Sequence, residues 1–162
     1  MIPPRQFLDH FIRPPLQHLA IAEPRLGNTA SEQLLLGTAL VESGLEAREQ
    51  DSGPALSFFQ IEPATFRDVY NRYLPKRPEL LDVVQDLRIP AFTTSEQLTS
   101  NPVFVCAIAR IKYWMVPELL PAAGDFEALG LYWKRYYNTF EGAGDAAHWT
   151  YLYRKYVEGE SL

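Results

Sequence analysis

Glu42 is the residue of this sequence best placed for acid–base chemistry. It shares a helical face with Leu35, Thr38 and Ala39, so its carboxyl group extends a largely apolar stripe rather than a solvated one. Loss of water disfavours the carboxylate, and so does the negative end of the helix macrodipole one turn away. Both favour the protonated form that a general acid needs near neutral pH. A glutamate near a helix end is also commonly a plain solvated residue, so position alone leaves both readings open. Asp51, nine positions on, offers a second carboxylate, and equally a turn-forming side chain beside Ser52, Gly53 and Pro54. The histidines His10, His18 and His148 are scattered and Cys106 is the single cysteine. No metal-ligand spacing arises from them, and no metal or organic cofactor is expected.

The elements that must position Glu42 read as helices. Thr29 and Glu32 have capping-box spacing and open a helix over 30–43, which Gly44 closes by taking a left-handed conformation. Ahead of it, two short apolar-periodic segments around 5–12 and 16–22 are split by Pro14-Pro15, a pair expected to bend or break the helical lead-in. Pro63 suits a first helical position, so a helix opens at Glu62-Pro63-Ala64-Thr65 and runs to about Tyr73, where Pro75 and Pro78 interrupt it. A second such start, Asn101-Pro102, opens a stretch to about Met115 that is apolar almost all round. That is the pattern of a central helix surrounded by others, with Cys106 buried in it. Asp125 caps an amphipathic stretch bearing Leu129, Trp133 and Tyr137 at four-residue spacing, and a last helix covers about 145–157. Only 53–61 is short, apolar and aromatic enough to be extended. The expected class is mainly α.

Around Glu42 the chain reads Glu42-Ser43-Gly44-Leu45 and then, after a loop, Ala55-Leu56-Ser57-Phe58-Phe59-Gln60-Ile61-Glu62-Pro63-Ala64-Thr65. This resembles the soluble lytic transglycosylase family, whose motif is an E-S pair closing a helix followed by G-A-x-G-L-x-Q-x-x-P-x-T. Gln60 and Thr65 stand eighteen and twenty-three positions beyond Glu42, the family's own offsets, with no insertion. Tyr136-Tyr137-Asn138-Thr139 echoes the family's later A-Y-N-A-G motif, so the resemblance spans 30–140 loosely. It implies a lysozyme-like helical domain with a glycan-binding groove. It also implies Glu42 as the one catalytic carboxylate, Gln60 and Asn138 as substrate contacts, Tyr137 as the residue that positions Glu42, and Ser43 as part of the cleft floor.

The chain departs from the motif at Pro54 and Ser57, which replace its two glycines, at Asp51, which replaces a serine, and at Phe140, which replaces the last glycine of the later motif. The Glu42-to-Asp51 spacing resembles instead the Glu and Asp of bacteriophage-type lysozymes. The choice decides the product. A water-activating partner gives hydrolysis, whereas a lone glutamate returns to take a proton from the sugar's own hydroxyl and leaves an anhydro ring. Tyr132, Trp133, Tyr136 and Tyr137 are candidates for stacking on sugar faces and, equally, for the core.

Length and composition fit this expectation and exclude others. At 162 residues, 47% hydrophobic, 13% aromatic and 22% charged, the chain has the profile of one compact domain over 1–162. A formal net charge of −5 with no basic stripe argues against nucleic acid as a partner. No apolar run suffices for a membrane span, and the first residues lack the apolar stretch of a secretory signal, so synthesis in the cytoplasm is expected. The expected partner is the peptidoglycan glycan strand, cut at the β-1,4 bond between N-acetylmuramic acid and N-acetylglucosamine. The style of the motifs resembles proteins of tailed bacteriophages, which implies action at the cell wall from a virion or with lysis partners. The alternatives are a virion or tail component that keeps the groove with weak or no activity, and a relative that cuts chitin.

Overall fold

The computed structural model of the protein describes residues 1–46, 57–138 and 144–159. Helix α1 (Pro4–Phe7) passes through a wide π turn over Leu8–Ile12 into α2 (Arg13–Ala22). The break expected at Pro14-Pro15 does not occur. Both prolines fall in the first turn of α2, where backbone N–H groups lack helical partners, and the N–H of Arg13 closes the π turn on the Leu8 carbonyl.

A short 3-10 turn, Pro24–Leu26, leads into α3 (Thr29–Ser43). Its cap lies one residue earlier than the sequence reading places it. Asn28 Oδ1 accepts the Ser31 N–H at 2.8 Å, and Ser31 Oγ accepts the Asn28 N–H at 3.0 Å. Glu32, expected to complete a box with Thr29, instead takes Arg13 Nε at 3.1 Å. Asn28 has the extended backbone and short acceptor side chain of a strong N-cap, and Ser31 is fully buried beneath the Leu26 carbonyl. At the other end Gly44 adopts φ +63°, as expected, and stops the helix just after Glu42-Ser43.

Helix α4 (Pro63–Arg67) continues through a π turn over Asp68–Tyr73 and a 3-10 turn over Leu74–Lys76. Of the segment expected to be extended, residues 57–60 form a turn and Ile61 makes an isolated β-bridge, while 53–56 lie outside the described residues. Two further helices follow that the sequence reading did not single out, α5 (Pro78–Asp86) and α6 (Thr94–Ser100). Pro78 is not an interruption but the first residue of α5. Helix α6 opens on a capping box in which Glu96 accepts the Thr93 N–H and Thr93 accepts the Glu96 N–H.

Helix α7 (Pro102–Trp114) is the core element its sequence predicts. Every residue from Phe104 to Ile111 is buried, Cys106 among them. Helix α8 (Phe126–Trp133), capped by Asp125 at 3.0 Å from the Ala128 N–H, runs into a π turn over Lys134–Asn138. Helix α9 (Ala146–Tyr153) does the same over Arg154–Glu158. Helices cover 74% of the structure and no strand is present among the described residues, so the class is all-α. None of these helices is long and apolar enough to cross a membrane.

Three contacts set α3 in place. Thr38 Oγ1 meets the Tyr113 hydroxyl of α7 at 2.8 Å in the interior. Gly37 lies flat beneath Trp149 of α9, so that a Cβ there would sit 2.0 Å from the indole Cζ2. Arg110 of α7, only 2% exposed, donates through Nε to the Leu26 carbonyl at 2.9 Å, which ties down the turn that feeds α3. Its guanidinium has a depressed pKa of about 10 because burial disfavours the charge.

Candidate active site

The Leu35, Thr38 and Ala39 face of α3 is buried, and Glu42 continues it at the last turn with its side chain partly buried. Its Oε1 accepts the indole N–H of Trp133 at 3.0 Å, and Trp133 is itself almost completely buried at the end of α8. Among the described residues Oε2 has no hydrogen-bond partner. Burial raises the pKa of the Glu42 carboxyl group above its usual range. The Trp133 hydrogen bond and the charge of Lys112 oppose that shift without cancelling it.

Lys112 comes from α7. Its ammonium group donates to the Tyr137 carbonyl at 3.0 Å and lies 3.7 Å from the centroid of the Tyr137 ring. That carbonyl belongs to the last turn of Lys134–Asn138, where helical carbonyls lack partners and a cation is favoured. Burial lowers the Lys112 pKa to about 8, although Glu42 and Glu62 both favour its charged form.

The structure brings several of the sequence-derived candidates to this place, in roles that differ in part. Tyr137 is buried beside Lys112, but its hydroxyl donates to the Phe59 carbonyl at 2.6 Å rather than to Glu42. The group that orients Glu42 is Trp133, one helical turn before Tyr137. Ser43 is buried and donates to the Ala39 carbonyl at 2.9 Å, an internal bond of its own helix and not a cleft-facing one. Asn138 Oδ1 accepts from Lys134 at 2.9 Å. Gln60 Nε2 donates to the Ser57 carbonyl at 2.7 Å, so it braces the turn that carries Phe59. Asp51 lies outside the described residues.

The sequence points to no site role for Lys112 or Glu62, and for Trp133 only to stacking on a sugar face or to the core, not to a bond with Glu42. Trp133 carried one signal, its place on the Leu129-Trp133-Tyr137 face. Lys112 carried another, as a cation in an apolar run that had to be satisfied somewhere. Nothing in the sequence paired either with Glu42, because both partnerships are long-range.

The turn at Ser57–Gln60 has its own chemistry. Ser57 adopts φ +74° and Gln60 φ +47°, a region that favours glycine. Ser57 occupies the second glycine position of the motif described above. The backbone there is held in a glycine-like conformation despite the side chain.

Among the described residues no group of three or more His, Cys, Asp or Glu side chains converges to hold a metal ion. Arranged as it is, the site favours the protonated form of Glu42 to higher pH than a free carboxyl group would, while the Trp133 N–H stabilises the carboxylate after that proton leaves. Comparison of the chain with protein-family models, with curated proteins and with solved structures gives no match.

Proposed function

We propose that this protein cleaves the glycan strand of peptidoglycan in the manner of lysozymes and lytic transglycosylases, with Glu42 as the general acid. The observation that carries this reading is the Glu42 carboxyl at the end of α3, where burial favours the protonated form while Trp133 occupies Oε1 and leaves Oε2 to carry the proton. The left-handed Ser57 supports it, because the loop keeps the backbone form of the glycine that the motif match calls for.

In the proposed reaction, the Glu42 proton passes to the glycosidic oxygen as the bond from the muramyl C1 breaks, its electron pair going to that oxygen. The Glu42 carboxylate then takes the proton of the hydroxyl that attacks C1. If that hydroxyl is the sugar's own, an anhydro ring results; if it is water, a reducing end results. Trp133 keeps the same carboxyl oxygen engaged in both halves of the cycle. No cofactor is called for.

The test is clearing of a peptidoglycan suspension by the purified protein, with mass spectrometry of the released fragments. Wild type is expected to clear, and Glu42→Gln to lose at least about a hundredfold of that activity while keeping its helical spectrum. Equal clearing by the variant would remove Glu42 from the acid role. Turnover of chitin but not peptidoglycan would overturn the substrate.

A further inference from the structure

The chain carries 20 acidic against 15 basic residues, so carboxylates are in excess over arginines that could pair with them. Arg5, Arg13, Arg25, Arg72, Arg135 and Arg154 each take one. Arg67 and Arg88 take none among the described residues, and both line one concavity of about 500 Å³. Its apolar lining comes from Pro63 and Phe66 of α4 and from Leu98 of α6, and no acidic side chain lines it. The acids on the neighbouring turns are committed elsewhere. Asp68 accepts from Arg72 at 2.6 Å, and Glu96 accepts the Thr93 N–H at 2.7 Å.

Arg88 is held in place by aromatic rings. Its Nη1 donates to the Tyr70 hydroxyl at 3.1 Å, and its guanidinium carbon lies 5.4 Å from the Tyr70 ring centroid and 5.9 Å from that of the buried Phe104. Tyr70 is stacked in turn on Phe66, 5.1 Å between centroids. This anchorage uses one nitrogen and leaves the Nε and Nη2 edge without a partner among the described residues. Two parallel N–H groups on one edge of a guanidinium match the two oxygens of a carboxylate.

We propose that this pocket binds an organic acid. The carboxylate lies on the free edge of Arg88, the exposed Arg67 guanidinium closes on it from the solvent side, and the apolar body of the ligand rests against Pro63, Phe66 and Leu98. A concavity of this volume suits a small organic molecule rather than a bare ion. A phosphate group presents three oxygens, whereas the anchored arginine offers one two-donor edge, which favours the planar carboxylate. A neutral ligand would leave both arginines without a counter-charge. None of the lining residues belongs to the Glu42 site, so the pocket is tested independently of peptidoglycan cleavage.

Binding is read by NMR on the full chain, from the arginine Nε–Hε resonances of Arg67 and Arg88, each assigned by its loss in Arg67→Gln or Arg88→Lys. Three probes share one body: phenylpropionate, phenylpropionamide and phenylpropyl phosphate. Phenylpropionate is expected to move both resonances saturably, the amide to leave them in place, and the phosphate to bind more weakly than the carboxylate. Arg67→Gln, at an exposed position, should weaken phenylpropionate by about tenfold, the loss of one charge-assisted contact. Arg88→Lys keeps the charge but not the two-donor edge, and should lose at least as much. Arg72→Gln removes the same charge from an arginine already paired with Asp68 and should bind as wild type does. The proposal is overturned if phenylpropionate produces no saturable shift, if the amide binds as well, or if the phosphate binds more tightly. Affinity unchanged in Arg67→Gln and Arg88→Lys, each with a folded amide spectrum, or reduced equally in Arg72→Gln, overturns it as well.

Discussion

The indole N–H of Trp133 meets Oε1 of Glu42 at 3.0 Å, joining side chains ninety-one positions apart in the chain. A donor on a carboxyl group favours its ionised form, so this bond works against the burial that favours the protonated form of Glu42. Two opposing influences of this kind place an acid between a permanent proton and a permanent charge.

Trp133→Phe keeps an aromatic ring and removes the donor. Glu42 should then hold its proton to higher pH, seen as an upward move of its NMR titration. The smaller ring should also lower unfolding stability by about 2 kcal/mol, read from urea denaturation. A Glu42 titration that moves down would contradict the assigned direction.

Stability should depend on pH in a sense fixed by these groups. The folded Glu42 carboxyl holds its proton above the value of 4.5 that suits the unfolded chain. Across that interval the native state binds more protons, so its stability falls as pH rises. Glu42→Gln keeps an acceptor for Trp133 and cannot titrate. It should match wild type in acid and become the more stable of the two as pH climbs. Lys112 acts in the opposite sense. Its pKa is about 8 in the fold against 10.5 unfolded, so wild type should gain stability as pH rises between those values and Lys112→Met should not. Urea denaturation over a pH series checks both.

Ser57 is buried at φ +74° and makes a 3.3 Å contact from its Oγ to the Phe59 N–H. A non-glycine residue in that region carries a strain of about 1 kcal/mol. Ser57→Gly should therefore be at least as stable as wild type. Ser57→Val, branched at Cβ and lacking the hydroxyl, should lose about 2 kcal/mol. Thermal melting of the pair decides it.

Alanine normally stabilises a helix interior relative to glycine by about 1 kcal/mol. At Gly37 the sign should reverse, because the new Cβ would lie 2.0 Å from a Trp149 ring that has no exposed surface and no room to retreat. A loss of about 2 kcal/mol or more is expected from denaturation of Gly37→Ala.

What the sequence made legible was whatever depends on near neighbours. The Gly44 stop after Glu42, the Asp125 cap and the apolar run of α7 are all local signals, and each is found in place. Local ambiguity produced the errors. Asn28, Thr29 and Ser31 compete for one cap, and only the burial of Ser31 decides among them. A proline ends one helix as readily as it begins the next, which is why Pro78 concealed α5. The neighbours of Glu42 were the least legible of all. Trp133 and Lys112 reach it only because α8 and α7 pack where they do, and Tyr137, one turn from Trp133, has its hydroxyl committed to Phe59.

Helix α7 touches the path of α3 at successive stations. Arg110 grips the turn before its first residue, Tyr113 meets Thr38 near its middle, and the charge of Lys112 reaches Glu42 at its end. Helix α3 is fifteen residues long, or about 22 Å, so these stations span its whole length. They act as a key cut in three places. A slide of α3 by a single residue would misalign all of them together, which couples the anchoring of Leu26 to the placement of a carboxyl group at the far end of the helix. Damage at Arg110 should consequently be felt by the proton on Glu42, although no atom of one side chain touches the other.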